Sequence, residues 1–139
     1  MKKLYMDVDG VLLTTKNKRA ADGSVAFIEY ILSHFDCYWL TTHCRDGNAD
    51  TLLRMLSQYF PSDTLDKLKK IKPTIWTTLK TEGIDFTSGF IWLDDYVFQA
   101  EKDELTKHYC LENLILVDLN RDGELVKISN KLHLMQRIT

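Results

Sequence analysis

Two aspartates one residue apart, Asp7 and Asp9, stand directly behind an apolar run and directly ahead of Gly10. Carboxylates placed this close serve as nucleophile, as general acid or base, or as oxygen ligands to a cation. Two further groups have the same setting. Thr41, Thr42 and His43 follow a second apolar run, with Arg45 shortly after, and Asp94 and Asp95 follow a third. If these runs are strands of one parallel sheet, all three groups emerge at its carboxyl edge, where ligands bind in such folds. Asp7, Asp9, Asp94 and Asp95 would then repel one another unless they shared a cation. Hard oxygen donors of this kind select magnesium, which binds through one or two carboxylates and keeps several waters.

The elements that must position these groups are legible in the apolar pattern. LYMDV, CYWLT (37–41), GFIWLDD and LILVDL (114–119) read as strands. Helical spacing covers 24–35, with Ser24 as N-cap, and 49–60, ended by Pro61. DTLDKLKKI reads as a short basic helix. PTIWTTLKTEG reads as a helix opened by Pro73 and closed near Gly83. QAEKDELTKHY reads as a polar surface helix, and the tail after Asp122-Gly123 as helical. Strands alternating with helices predict an α/β protein, a Rossmann-like three-layer sandwich with a mainly parallel central sheet.

The totals agree with one such unit. The 139 residues suit a single domain over 1–139, and 45% hydrophobic residues suit a globular core. A net charge of −2 provides no global basic field, so any nucleic acid must be met by a local patch. KNKR (16–19) and the group Lys67, Lys69, Lys70 and Lys72 are such patches, or simply solvated faces. Three cysteines without CxxC spacing argue against a disulfide framework and for a reducing compartment, the cytoplasm. Asp7 breaks the apolar run behind the N-terminal lysines, against a signal peptide, and no stretch is long enough to span a membrane. Trp39, Trp76 and Trp92 are expected in the core. Cys44 beside His43 is not expected to be a nucleophile.

Taken in order, DVDGV, YWLTT, Lys72-Pro73 and FIWLDD resemble the four motifs of the haloacid dehalogenase-like (HAD) phosphotransferases, over residues 4–95. That resemblance implies a HAD-like domain with roles for specific residues. Asp7 would attack phosphorus and carry a transient aspartyl-phosphate. Asp9 would act as acid and base, with its backbone carbonyl on the metal. Thr41 would bond the phosphoryl oxygens, and Lys72 would neutralise charge, with Lys80 as competitor for that role. Asp95, supported by Asp94, would hold magnesium directly or through water. Gly10, Thr42, His43 and Arg45 are the expected substrate contacts. The short spacing between motifs implies no large cap, hence an open site for a bulky phosphorylated substrate such as a nucleic-acid end or a phosphoprotein. The chain also resembles compact HAD domains of RNA-repair proteins. Two other readings use the same residues: a phosphorylation receiver, and a binding module that keeps the metal site without useful catalysis.

Overall fold

The computed structural model describes residues 1–138. Its centre is a four-stranded sheet built from β1 (Lys3–Met6), β2 (Asp36–Trp39), β3 (Phe90–Asp94) and β4 (Leu114–Leu116). The strand order is β2-β1-β3-β4, and every pairing is parallel. Each crossover carries helix. α1 (Ser24–His34) links β1 to β2, α2 (Asp50–Leu56) and α3 (Ser62–Leu68) lie between β2 and β3, and α4 (Gln99–Lys107) links β3 to β4. α5 (Glu124–Ile138) follows β4 and packs against α1.

Alternation along the strands sends side chains into two cores, because successive residues of a strand face opposite ways. Leu4, Met6, Ile91, Leu93 and Ile115 join Phe27, Ile28, Ile31, Leu52 and Leu132 on one face. Tyr5, Phe90 and Trp92 join Leu40, Trp76 and Leu105 on the other. The sheet is therefore covered on both sides, and the fold is α/β and Rossmann-like as expected. Trp39, Trp76 and Trp92 are all buried. Among the described residues no helix is long and apolar enough to cross a membrane.

Two segments depart from the sequence reading. Residues 73–79 are not helical, and only Lys80–Gly83 forms a single 3-10 turn. The chain instead runs along the free edge of β2. The Lys72 amide donates to the Cys37 carbonyl, the Trp39 amide to the Lys72 carbonyl, and Thr74 Oγ1 to the Trp39 carbonyl at 2.7 Å. The β-branched residues Thr74, Ile75, Thr77 and Thr78 favour this extended path over a helix. Ser24 does not cap α1 but is its buried first residue. Gly23, at φ 77°, holds the N-cap position.

Candidate functional site

The sheet turns both ways from β1: the first crossover moves to β2, and the chain then returns across β1 to β3. The crevice beyond the carboxyl ends of β1 and β3 is the switch point where doubly wound sheets bind ligands. Asp7 leaves β1 there, its amide bonded to the Leu93 carbonyl at 3.1 Å, and Asp94 ends β3 beside it. One carboxylate oxygen from each of Asp7, Asp94 and Asp95 lies within 4.8 Å of the others.

Lys80 closes this group from the side. Its Nζ donates to Asp7 Oδ2 at 2.9 Å and to Asp94 Oδ2 at 2.7 Å. Burial pulls the ammonium down, but the charges of Asp7 and Asp94 outweigh that and leave it above its ordinary value. Burial, followed by the neighbouring Asp7 charge, pushes Asp94 up to about 8 despite Lys80. Three carboxyl groups thus meet around one ammonium, an arrangement that could hold a cation.

The two members of the acidic pair differ in what they have free. Asp94 is fully engaged: Oδ1 accepts the amides of Asp95 and Tyr96, and Oδ2 accepts Lys80. Asp95 is exposed, and its carboxylate receives no hydrogen bond among the described residues. It lies against Gly10, where a Cβ would come within 2.2 Å of Asp95 Oδ2 and 2.6 Å of its Cβ. Gly10 also has φ +81°. Glycine is required here twice over, by backbone conformation and by the close approach of Asp95.

Several expected site residues stand elsewhere. Lys72 is not at the site: its Nζ bonds Asp36 at 3.0 Å, at the amino end of β2, and lies over the Tyr38 ring. The edge pairing of residues 72–74 with β2 turns it that way, so Lys80 takes the place at Asp7. The Asp9 carboxylate is outside the three-oxygen group. His43 Nε2 meets its Oδ2 at 2.7 Å, and Lys18 Nζ lies 3.5 Å from Oδ1. His43 thus contacts Asp9 and was expected on substrate. Thr41 is fully buried, with Oγ1 accepting the His43 amide at 3.3 Å, whereas Thr42 lines the cavity above Asp7. Arg45 lines that cavity too, bonded to the Thr77 carbonyl at 3.3 Å and lying over the Trp76 ring.

The chain matches no protein-family model, no curated protein and no solved structure. What can be said of the site therefore comes from its own geometry.

That geometry includes two carboxylates which the sequence reading overlooked. Glu101, 2% exposed in α4, accepts the Lys80 amide on Oε2 at 2.7 Å and the Phe98 amide on Oε1 at 2.9 Å. Glu82 accepts the amides of Thr77, Thr78 and Leu79 and the Thr77 hydroxyl, which folds the loop leading into Lys80. These donors, the Thr77 and Leu79 amides foremost, hold Glu82 down at about 2. The one sequence signal for Glu101 was its place in the first turn of a helix, where a carboxylate satisfies free amides. The basic group at 67–72 is distributed over surface ion pairs, Lys67 with Glu29 and Lys69 with Asp66. Lys16 and Arg19 instead line a second, polar cavity of about 470 Å³ on the other side of Asp95. Cys44 is buried, and burial pushes its thiol up, the reverse of an activated nucleophile.

Proposed function

We propose that this protein is a magnesium-dependent phosphohydrolase acting on phosphate monoesters, a minimal HAD-like domain without a large cap. The observation that carries the reading is Lys80 bridging Asp7 and Asp94 at the switch point, with the unengaged Asp95 carboxylate alongside. A nucleophile with one oxygen on an ammonium, beside two further carboxyl groups, suits an anionic substrate delivered with a cation. The three free, buried cysteines fit a reducing compartment, which we take to be the cytoplasm.

Asp95 and Asp7, with Asp94 behind them, offer the oxygen donors that magnesium takes, and the Asp9 carbonyl is the further donor the HAD resemblance implies. Bound there, magnesium would offset the charge on the phosphoryl oxygens. The rest falls to the chain itself. An Asp7 carboxylate oxygen bonds to phosphorus as the ester P–O bond breaks, and Asp9 gives its proton to the departing oxygen. Water then attacks the phosphorus of the aspartyl-phosphate, Asp9 takes the water's proton, and Asp7 leaves as carboxylate. Lys80 holds Asp7 in place and stabilises charge on the transferring group, while Thr42 and Arg45 are placed to bond its oxygens. His43 and Lys18 orient Asp9.

The test is hydrolysis of p-nitrophenyl phosphate with and without magnesium, by the wild type and Asp7→Asn. Metal-dependent turnover lost in the variant is expected; equal rates in both would overturn the mechanism.

A second reading draws on the strand order. The order β2-β1-β3-β4 begins like that of flavodoxin-like sheets, which include phosphorylation receivers. Stable phosphorylation of Asp7 by a small phosphodonor, without turnover, would select it.

A further inference from the structure

The cavity that opens onto Asp7, Lys80 and Asp95 has a volume of about 360 Å³, and Trp76, Tyr96 and Phe98 give its lining an aromatic part. Tyr96 and Phe98 are 68% and 56% exposed, and their rings stand edge to face at 5.6 Å. Val97 between them is buried, so the strand-like alternation turns both rings outward together. Arg45 and Trp76 line the same cavity, the Arg45 guanidinium lying 5.4 Å over the Trp76 ring.

These rings are held in register with the reacting groups. The Tyr96 amide donates to Asp94 Oδ1, and the Phe98 amide to Glu101. The same two carboxylates hold Lys80, Asp94 by its ammonium and Glu101 by its amide. Two adjoining exposed rings on the wall of a cavity that also holds charged groups form the kind of apolar patch a ligand covers. Ring faces and a flat guanidinium both bind planar aromatic groups well. Among the described residues, none that lines the polar cavity on the far side of Asp95 is aromatic.

Resting on the phosphohydrolase reading, we propose that this cavity selects phosphate esters that carry a planar aromatic ring. Tyr96 and Phe98 pack against the ring as the phosphate reaches Asp7. The ring belongs either to a nucleobase or to a phenol such as a tyrosine side chain, and the substrate panel separates the two.

The experiment compares adenosine 5′-monophosphate, phenyl phosphate and ribose 5-phosphate as substrates, in magnesium, for the wild type and the double variant Tyr96→Ala/Phe98→Ala. The wild type is expected to favour at least one aromatic ester over ribose 5-phosphate by about tenfold or more in kcat/KM. The double variant should bring that ratio close to one, and the conservative pair Tyr96→Phe/Phe98→Tyr should keep it. A preference for the adenosine ester assigns a nucleobase, and a preference for phenyl phosphate assigns a phenol ring. Equal use of all three esters by the wild type, or a preference that survives the double variant, overturns the aromatic site and leaves the phosphohydrolase standing. If the wild type hydrolyses none of them, the hydrolase reading falls and calorimetric titration of the same compounds decides. Binding of an aromatic ester that is lost in the double variant upholds the ring site, and absence of such binding overturns it.

Discussion

Lys80 shows how a single ammonium can be read wrongly from its neighbours. Lys72 has a proline behind it and the expected order of motifs, yet its side chain ends on Asp36. Lys80 lacks that proline but reaches both Asp7 and Asp94. Lys80→Met is therefore expected to lower kcat on an aryl phosphate by about 10²-fold or more, the scale of losing one charge-stabilising donor. Lys72→Met should keep it within about threefold, since exposed ion pairs of this kind contribute little. Steady-state kinetics on both variants checks the pair, and the reverse ranking would reinstate Lys72. Gly10→Ala makes the second residue-level prediction. Its Cβ would meet Asp95 in a backbone conformation that only glycine adopts easily. Magnesium should raise the melting temperature of the wild type, and Gly10→Ala should lose most of that rise as Asp95 is displaced.

The loop 77–83 and the start of α4 form the element that delivers Lys80 to the strand ends. Glu82 organises the loop by accepting hydrogen bonds from its amides, and Glu101 ties the loop to α4. Glu82 in the fold is held at about 2, below the roughly 4.3 of a free glutamate. Its stabilising contribution is thus complete above the unfolded value and is lost as pH falls toward about 2. Glu82→Gln should melt below the wild type near pH 6, and the gap should close as the pH is lowered to about 2.5. Thermal melts of the two proteins across that range are the check, and a gap that widens in acid would contradict the sign. Pro73 and helical-looking spacing did not reveal this loop, because its conformation depends on the Glu82 and Glu101 carboxylates and on the pairing of the residues before it, Lys72 and Thr74, with β2.

For the molecule as a whole, the two-faced sheet makes the core unforgiving. Leu93 is fully buried in β3, and Leu93→Ala should cost about 2–5 kcal/mol in a urea titration. The three cysteines are free and buried, and burial pushes the Cys37 thiol up to about 12. At pH 8 the native protein should therefore resist iodoacetamide, while the unfolded chain should be alkylated readily. The same shift has a stability consequence. The folded thiol stays protonated where the unfolded one ionises, so this contribution is complete below about 8.5 and declines as pH rises toward about 12. Mass spectrometry after alkylation with and without denaturant is the measurement.

The amino-acid sequence alone determined the α/β class, the four strands, most of the helices and the edge at which Asp7, Asp9, Thr41, Thr42, Asp94 and Asp95 emerge. These follow from apolar periodicity and from the rule that a parallel sheet presents its loops on one side, both of which are local or nearly so. Tertiary structure alone decided which groups meet. It set Lys80 and not Lys72 on Asp7, turned His43 onto Asp9, engaged Asp94 while leaving Asp95 free, and placed Tyr96 and Phe98 on the cavity wall. The reason is physical. A long side chain can reach in several directions, and the one it takes depends on backbone pairing and on buried acceptors that lie far away in sequence.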